Sequence, residues 1–339
     1  MVQQRLEATF SPAPTSNTPV DPAYWPAHVF RAMGSTMSVR LAASDALAAQ
    51  PLRQVETYFA FAEDRLSRFD PRSELSRVNG CRGKWQEVSP LLWQILGMAL
   101  AMASATGGLY DPTLLAAIES AGYTRSFDEM IGQDPLSLKQ EMQTAWRASE
   151  LAGRWQTVRC RPATREIYLP SGMGLDLGGI AKGVVAAQVV ELLRPYGPCL
   201  VDAAGDLVAG AAPPGWPGWP VAIAEPAGID GESEDLAVVW LREASMATSG
   251  IDYRRWQQQG HSAHHIIDPR TGLPAATDLL SVSVLTVKAE QAEAWAKAAL
   301  ILGWEAGYAA LASQQLAALL VHQDGRIAMT DALQPYIVG

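Results

Sequence analysis

The chain has 339 residues, 48% hydrophobic and 18% charged, the make-up of a globular protein long enough for one large domain or two packed ones. A formal net charge of −9 excludes general nucleic-acid binding, so an anionic ligand would need a local basic pocket. The three cysteines, Cys81, Cys160 and Cys199, have no CxxC spacing, which excludes a disulfide framework or a structural zinc site.

Residues 1–26 are polar and rich in Pro, Ser and Thr, and read as a disordered lead. They carry no apolar signal-type run and no lipidation cysteine, and no spanning segment follows. With Met1 as the natural start, the expectation is a cytoplasmic protein. Val29 to Leu41 predicts two short strands about a turn at Met33-Gly34-Ser35. Asp45 to Arg68 predicts a long amphipathic helix, with Pro51 as a break or a late start. A turn at Phe69 to Ser73 precedes a short helix, Glu74 to Asn79. Pro90 to Thr106 predicts an apolar helix stopped by Gly107-Gly108. Asp111 and Pro112 suit the N-cap and first turn of another helix. Residues 123–153 read as an insert of polar helix and loop, and Trp155 to Leu169 as a hairpin about Pro162-Ala163.

The central stretch is Leu175 to Gly183. An apolar, strand-like lead-in carries Asp176, two glycines follow, and an Ala/Val-rich helix runs to about Arg194. Paired glycines let a ligand approach the backbone, and a helix start offers free N–H groups to a phosphate. Lys182 precedes Gly183 rather than following it, so this is not a Walker loop. Leu177 stands where a dinucleotide fingerprint needs glycine. The residues leave a phosphate site and a plain tight turn both open.

Beyond it, Cys199 to Val208 predicts two strands about Ala204-Gly205-Asp206, and Trp219 to Ala224 and Leu236 to Arg242 two more. Leu279 to Val287 is a β-branched strand, Gln291 to Leu302 an Ala-rich helix ending at Gly303, and Asp324-Gly325 a hairpin turn. Strands pair between helices in antiparallel fashion, which predicts an α+β fold. His264 and His265 are adjacent, so they face opposite ways along an extended segment, one inward and one solvated. Thr248, Asp268 and Arg270 favour His265 as a site residue over a hydrogen-bonded core histidine. Asp268 to Gly272 is also a good type I turn, which by itself accounts for Asp268 and Gly272.

In order and wording these patches resemble the ApbE family, the FAD:protein FMN transferases. The resemblance runs from about Phe30 to Met329, within a single unit taken as residues 27–339. Its pieces are Ala32 to Thr36, Leu66 to Phe69, Ser73 to Asn79, Gly108 to Thr113, Asp176 to Gly183, Val201 to Asp206, Ala247 to Gly250 and His265 to Gly272. It implies two intimately packed α/β halves with mostly antiparallel sheets and FAD in the cleft between them. It implies cleavage of the FAD pyrophosphate, transfer of FMN to a Thr or Ser hydroxyl of a target flavoprotein, and release of AMP. It carries flavin and nucleotide contacts onto Met33, Phe69, Leu109, Tyr110, Asp111, Asp176, Lys182, His265 and Ile267. His265 takes an acid–base or positioning role. Taken alone, Tyr110 and Phe69 would be core aromatics and Lys182 a solvated helix residue.

One departure stands out. The family holds magnesium with an Asp and, four residues on, a Thr; here those positions are Glu293 and Lys297. Glu293 remains a hard oxygen ligand, whereas a protonated lysine offers donors and no acceptor. Gly179 and Ala296, whose backbone carbonyls match the family's other metal contacts, would then lose that role. The plain alternative for Glu293 and Lys297 is an intrahelical surface pair worth about 0.3–0.5 kcal/mol. The sequence-level expectation is an ammonium near the metal position, supplying part of its charge, with Lys297 beside His265 among the catalytic candidates. Three readings follow: an FMN transferase, an FAD-binding protein without transfer, and an FAD pyrophosphatase.

Overall fold

The computed structural model describes residues 24–126, 153–226, 235–252, 255–258 and 261–338. Most of the expected lead and of the insert at 123–153 lie outside these described residues.

The strands are β1 (Ala27–Ala32), β2 (Ser35–Leu41), β3 (Trp85–Glu87), β4 (Arg159–Arg161), β5 (Glu166–Tyr168), β6 (Cys199–Ala203), β7 (Asp206–Ala209), β8 (Trp219–Ala224) and β9 (Asp235–Leu241). They continue with β10 (Ala244–Gly250), β11 (Arg255–Gln258), β12 (His261–His264), β13 (Ile267–Asp268), β14 (Leu273–Pro274), β15 (Leu279–Thr286), β16 (Ala317–His322) and β17 (Ile327–Met329). The helices are α1 (Asp45–Leu66), α2 (Glu74–Gly80), α3 (Pro90–Ala105), α4 (Leu115–Ser120), α5 (Ala181–Leu193), α6 (Ala289–Leu302) and α7 (Trp304–Ser313).

Eight strands form one sheet in the order β1-β2-β6-β7-β10-β15-β16-β17, so the two α/β halves share a continuous sheet. Its neighbours are antiparallel throughout. Alternation of side chains sorts its residues into two faces. One face packs Met37, Val39, Val201 and Val208 against α1 and α5, and Val282, Val284 and Leu320 against α6 and α7. The other packs Leu200, Met246, Leu285 and Leu319 under the β8–β9 hairpin. Among the described residues no helix is long and apolar enough to cross a membrane.

The registers also fix where the loops gather. Ala32 pairs with Ser35, Met37 with Ala203, Ala203 with Asp206, Leu207 with Met246, Gly250 with Ser281 and Leu279 with His322. The turns at Met33-Gly34 and Ala204-Gly205, the end of β10 and the start of β15 therefore share one rim of the sheet. Met33, Gly34, Ala204 and Gly205 all have positive φ, as tight hairpin turns of this hand require.

Three local expectations are corrected. Helix α1 runs unbroken through Pro51. The ring removes one backbone bond near the start, and the buried stripe Ala48, Leu52, Val55, Phe59, Ala62 and Leu66 holds the helix regardless. Asp111 is not an N-cap: α4 begins at Leu115, and the Asp111 carboxylate folds back on Thr113. The lead-in to Gly178 is not a strand either. Its backbone is satisfied by the Asn79 amide at Leu175 and by Pro112 at Asp176, with one bridge from Gly174 to Leu114, rather than by a sheet neighbour.

Candidate active site

Two groups of polar side chains gather around the Gly178-Gly179 turn. The first surrounds the start of α5. The Tyr110 ring lies so close to Gly179 that a Cβ there would sit 3.0 Å from its Cε2 and 3.3 Å from Lys297 Cε. The turn thus passes closely between a phenol and a lysine stem, and a side chain at Gly179 would have to displace one of them. Tyr110 is buried, its hydroxyl has no hydrogen-bond partner, and burial together with the nearby Glu293 carboxylate raises its pKa.

Glu293, on α6, is 1% exposed. Its Oε1 accepts the Gly183 N–H at 2.9 Å, capping α5 from a neighbouring helix, so this helix start offers a ligand one donor fewer than its sequence suggests. Its Oε2 has no hydrogen bond and lies 3.5 Å from Lys297 Nζ, which also donates to the Glu293 backbone carbonyl at 3.4 Å. Burial above all, then Asp206, pushes the Glu293 carboxyl up to about 8, against the opposing pull of Lys297, Lys182 and the Gly183 N–H. Lys182 forms an ion pair with Asp206 in the β6–β7 turn, tying α5 to the sheet rim.

The second group lies around Arg68, just past α1. Its Nε meets Asp176 Oδ2 at 2.9 Å, and its Nη2 donates to the Tyr123 carbonyl at 2.9 Å. Its guanidinium stands 4.0 Å over the Phe69 ring and 4.7 Å from the Tyr123 ring. Tyr123 stacks on Trp256 at 5.7 Å and meets the His265 ring edge-on at 6.4 Å. Asp176 Oδ1 accepts the Gly178 N–H at 2.7 Å, so one carboxylate links the aromatic group to the glycine turn.

Of the residues singled out from sequence, Tyr110, Gly179, Lys182, Glu293 and Lys297 meet in the first group, and Phe69, Asp176 and His265 in the second. Asp111 is buried beside Tyr110; Thr113 accounts for one of its oxygens, and Oδ2 has no side-chain hydrogen-bond partner. Met33 stands at the rim turn, half-buried against the first core. Leu109 packs on the second core, Ile267 on a small cluster with Leu114 and Ala117, and Ala296 is fully buried in α6. His264 is the inward histidine, bonded to the Ala275 carbonyl at 3.2 Å, while His265 is half-buried on Tyr123.

Sequence reasoning missed Arg68, Asn79, Tyr123, Asp206 and Trp256 as members of the site. Arg68 and Asp206 lay inside motif pieces and Tyr123 three residues past a helix, but nothing local signals a partner 24 or more residues away.

A divalent cation does not fit the side chains present. Lys297 brings a positive charge to the free oxygen of Glu293, and its stem fills the space beside Gly179. Among the described residues no three His, Cys, Asp or Glu side chains are placed to share a metal ion.

The ApbE family profile matches residues 33–320. An FAD:protein FMN transferase of Treponema pallidum is 33% identical over 294 residues, covering 81% of this chain and 78% of that protein. One from Klebsiella pneumoniae is 26% identical over 91% of this chain and 88% of its own length. The ApbE protein of Thermotoga maritima superposes with a TM-score of 0.80 at 21% identity, over 93% of this chain and all of that one. The flavinyl transferase ApbE of Pseudomonas stutzeri gives 0.74 at 22% identity, over 93% and 98%.

Proposed function

The chain belongs to the ApbE family, and from that premise we propose that it acts as an FAD:protein FMN transferase through the residues gathered at the Gly178-Gly179 turn. What carries the assignment of roles is one arrangement: an aromatic group and two lysines gather about a turn whose Gly178 is exposed. Aromatic faces suit a flavin or adenine ring, and ammonium groups suit a pyrophosphate.

In this reading Phe69, Tyr123 and Trp256 form an aromatic wall, with Met33 and Leu109 as apolar contacts and Ile267 and Asp111 fixing the surrounding backbone. Tyr110 presents its unpartnered hydroxyl at the glycine turn. Lys182, oriented by Asp206, faces the pyrophosphate. The acceptor hydroxyl oxygen bonds to the phosphorus of the FMN half. The bond from that phosphorus to the bridging oxygen breaks, and its electron pair leaves with AMP. The hydroxyl proton passes to His265 or through it to water. The protein's work is to align attacking and leaving oxygens and to offset the negative charge between them.

Intact-mass measurement tests this on a flavoprotein that another ApbE protein already modifies. Incubation with this chain and FAD is expected to add one FMN per acceptor and release one AMP. AMP release without an acceptor would mean hydrolysis. Bound, intact FAD with no mass gain on that acceptor would mean a binding protein.

A further inference from the structure

Lys297 differs from a surface lysine in what holds it. Its partner at i−4 is 1% exposed, whereas its own side chain is 20% exposed, so the lysine leads from the core toward solvent. The Glu293 carboxylate is itself fixed by the Gly183 N–H across the helix–helix contact, and the lysine stem lies against Gly179. A surface Glu–Lys pair is free to swing and contributes little, whereas here Gly183 holds the Glu293 side chain and Glu293 in turn holds the lysine. The Tyr110 hydroxyl and Glu293 Oε2 are both buried without a hydrogen-bond partner, and Glu293 is near enough to raise the Tyr110 pKa. A held cation and two buried, unpartnered polar atoms are thus gathered at the Gly178-Gly179 turn, where Gly178 is exposed.

We propose that Lys297 is the resident cation of this site, standing in for a divalent metal: its ammonium meets the ligand's phosphate oxygens, and dinucleotide binding proceeds without metal. The proposal rests on the flavin-dinucleotide reading above. An ammonium supplies one charge and three donors where a metal supplies two charges and a fixed coordination shell. The site therefore exchanges some hold on the phosphate for independence from the metal. Glu293 and Gly183 act on the ligand through Lys297 and are positioning groups.

The test compares FAD with riboflavin, which lacks phosphate, by flavin fluorescence in EDTA and in magnesium, and follows Mn2+ by electron paramagnetic resonance. For the wild-type chain, FAD affinity should be the same in both buffers, and Mn2+ should stay free. Lys297→Met should weaken FAD by about tenfold while leaving riboflavin within about twofold. The double variant Glu293→Gln/Lys297→Met, which leaves no buried charge unpaired, should behave alike. Glu293→Asp/Lys297→Thr, which supplies oxygen ligands and space, should bind Mn2+ and regain FAD affinity only with a divalent cation. FAD binding by the wild type that is lost in EDTA, a tightly bound Mn2+, or equal losses for FAD and riboflavin would each overturn the proposal while leaving the flavin reading intact. No FAD binding by the wild type in either buffer would overturn both.

Discussion

At the scale of single residues the site depends on buried carboxyl groups. Asp111 shows how one behaves. Burial raises its pKa above the ordinary 3.8, opposed by its hydrogen bonds from Thr113 and from the Trp155 and Gly153 backbone. A carboxyl whose folded pKa exceeds its unfolded value binds more protons when folded, so its contribution to stability is lost as pH rises above that ordinary value. Asp111→Asn keeps the acceptor oxygen for Thr113 and removes the charge. The variant should therefore lose less stability than the wild type between pH 4 and pH 7, read from denaturant midpoints at each pH; parallel losses would count against this account. The sequence revealed the residue and its turn but not its partner. Asp-Pro-Thr suits both an N-cap and a side chain folded back two residues on, and only the helix start at Leu115 separates them.

At the scale of elements, the contact between α5 and α6 matters most, because it places Glu293 and Lys297 against the glycine turn. Gly183 makes that contact close. A Cβ there would stand 2.5 Å from Glu293 Oε1 and 3.1 Å from Ala289 Cβ. Helix propensity alone favours Gly183→Ala by about 1 kcal/mol. Overpacking costs about 1–3 kcal/mol, and the displaced oxygen belongs to a buried carboxylate that would also lose its N–H donor. The steric term should win. Urea titration is expected to show a net loss of stability, and a stabilised variant would mean that the helices separate at little cost. Both helices were legible from their apolar periodicity and from the Gly303 stop. Their mutual approach was not, since the Glu293–Gly183 bond spans 110 residues. Pro51 makes the converse point: a strong local signal to break α1 was overridden by a buried stripe facing the sheet.

At the scale of the molecule, strand pairing between neighbours in sequence was legible as hairpins, and so was the α+β class. The order of the sheet was not, because β2 pairs with β6 across more than 150 residues. That pairing brings the Met33 turn beside the Ala204-Gly205 turn, and the β7–β10 pairing makes the two halves one body. Chains of this size often unfold in steps, one domain at a time. Here no strand boundary divides the sheet, β7 and β10 join the halves by direct backbone bonds, and α5 of one half is capped by α6 of the other. Neither half can lose its order without exposing the other's core. Scanning calorimetry is therefore expected to show one transition, with equal calorimetric and van't Hoff enthalpies. FAD at about 100 times its dissociation constant should move that whole transition upward, by about 2.7 kcal/mol of stabilisation. Two resolved peaks, with FAD shifting only one, would mean that the halves melt independently and that the ligand is held by a single half rather than at the turn where both meet.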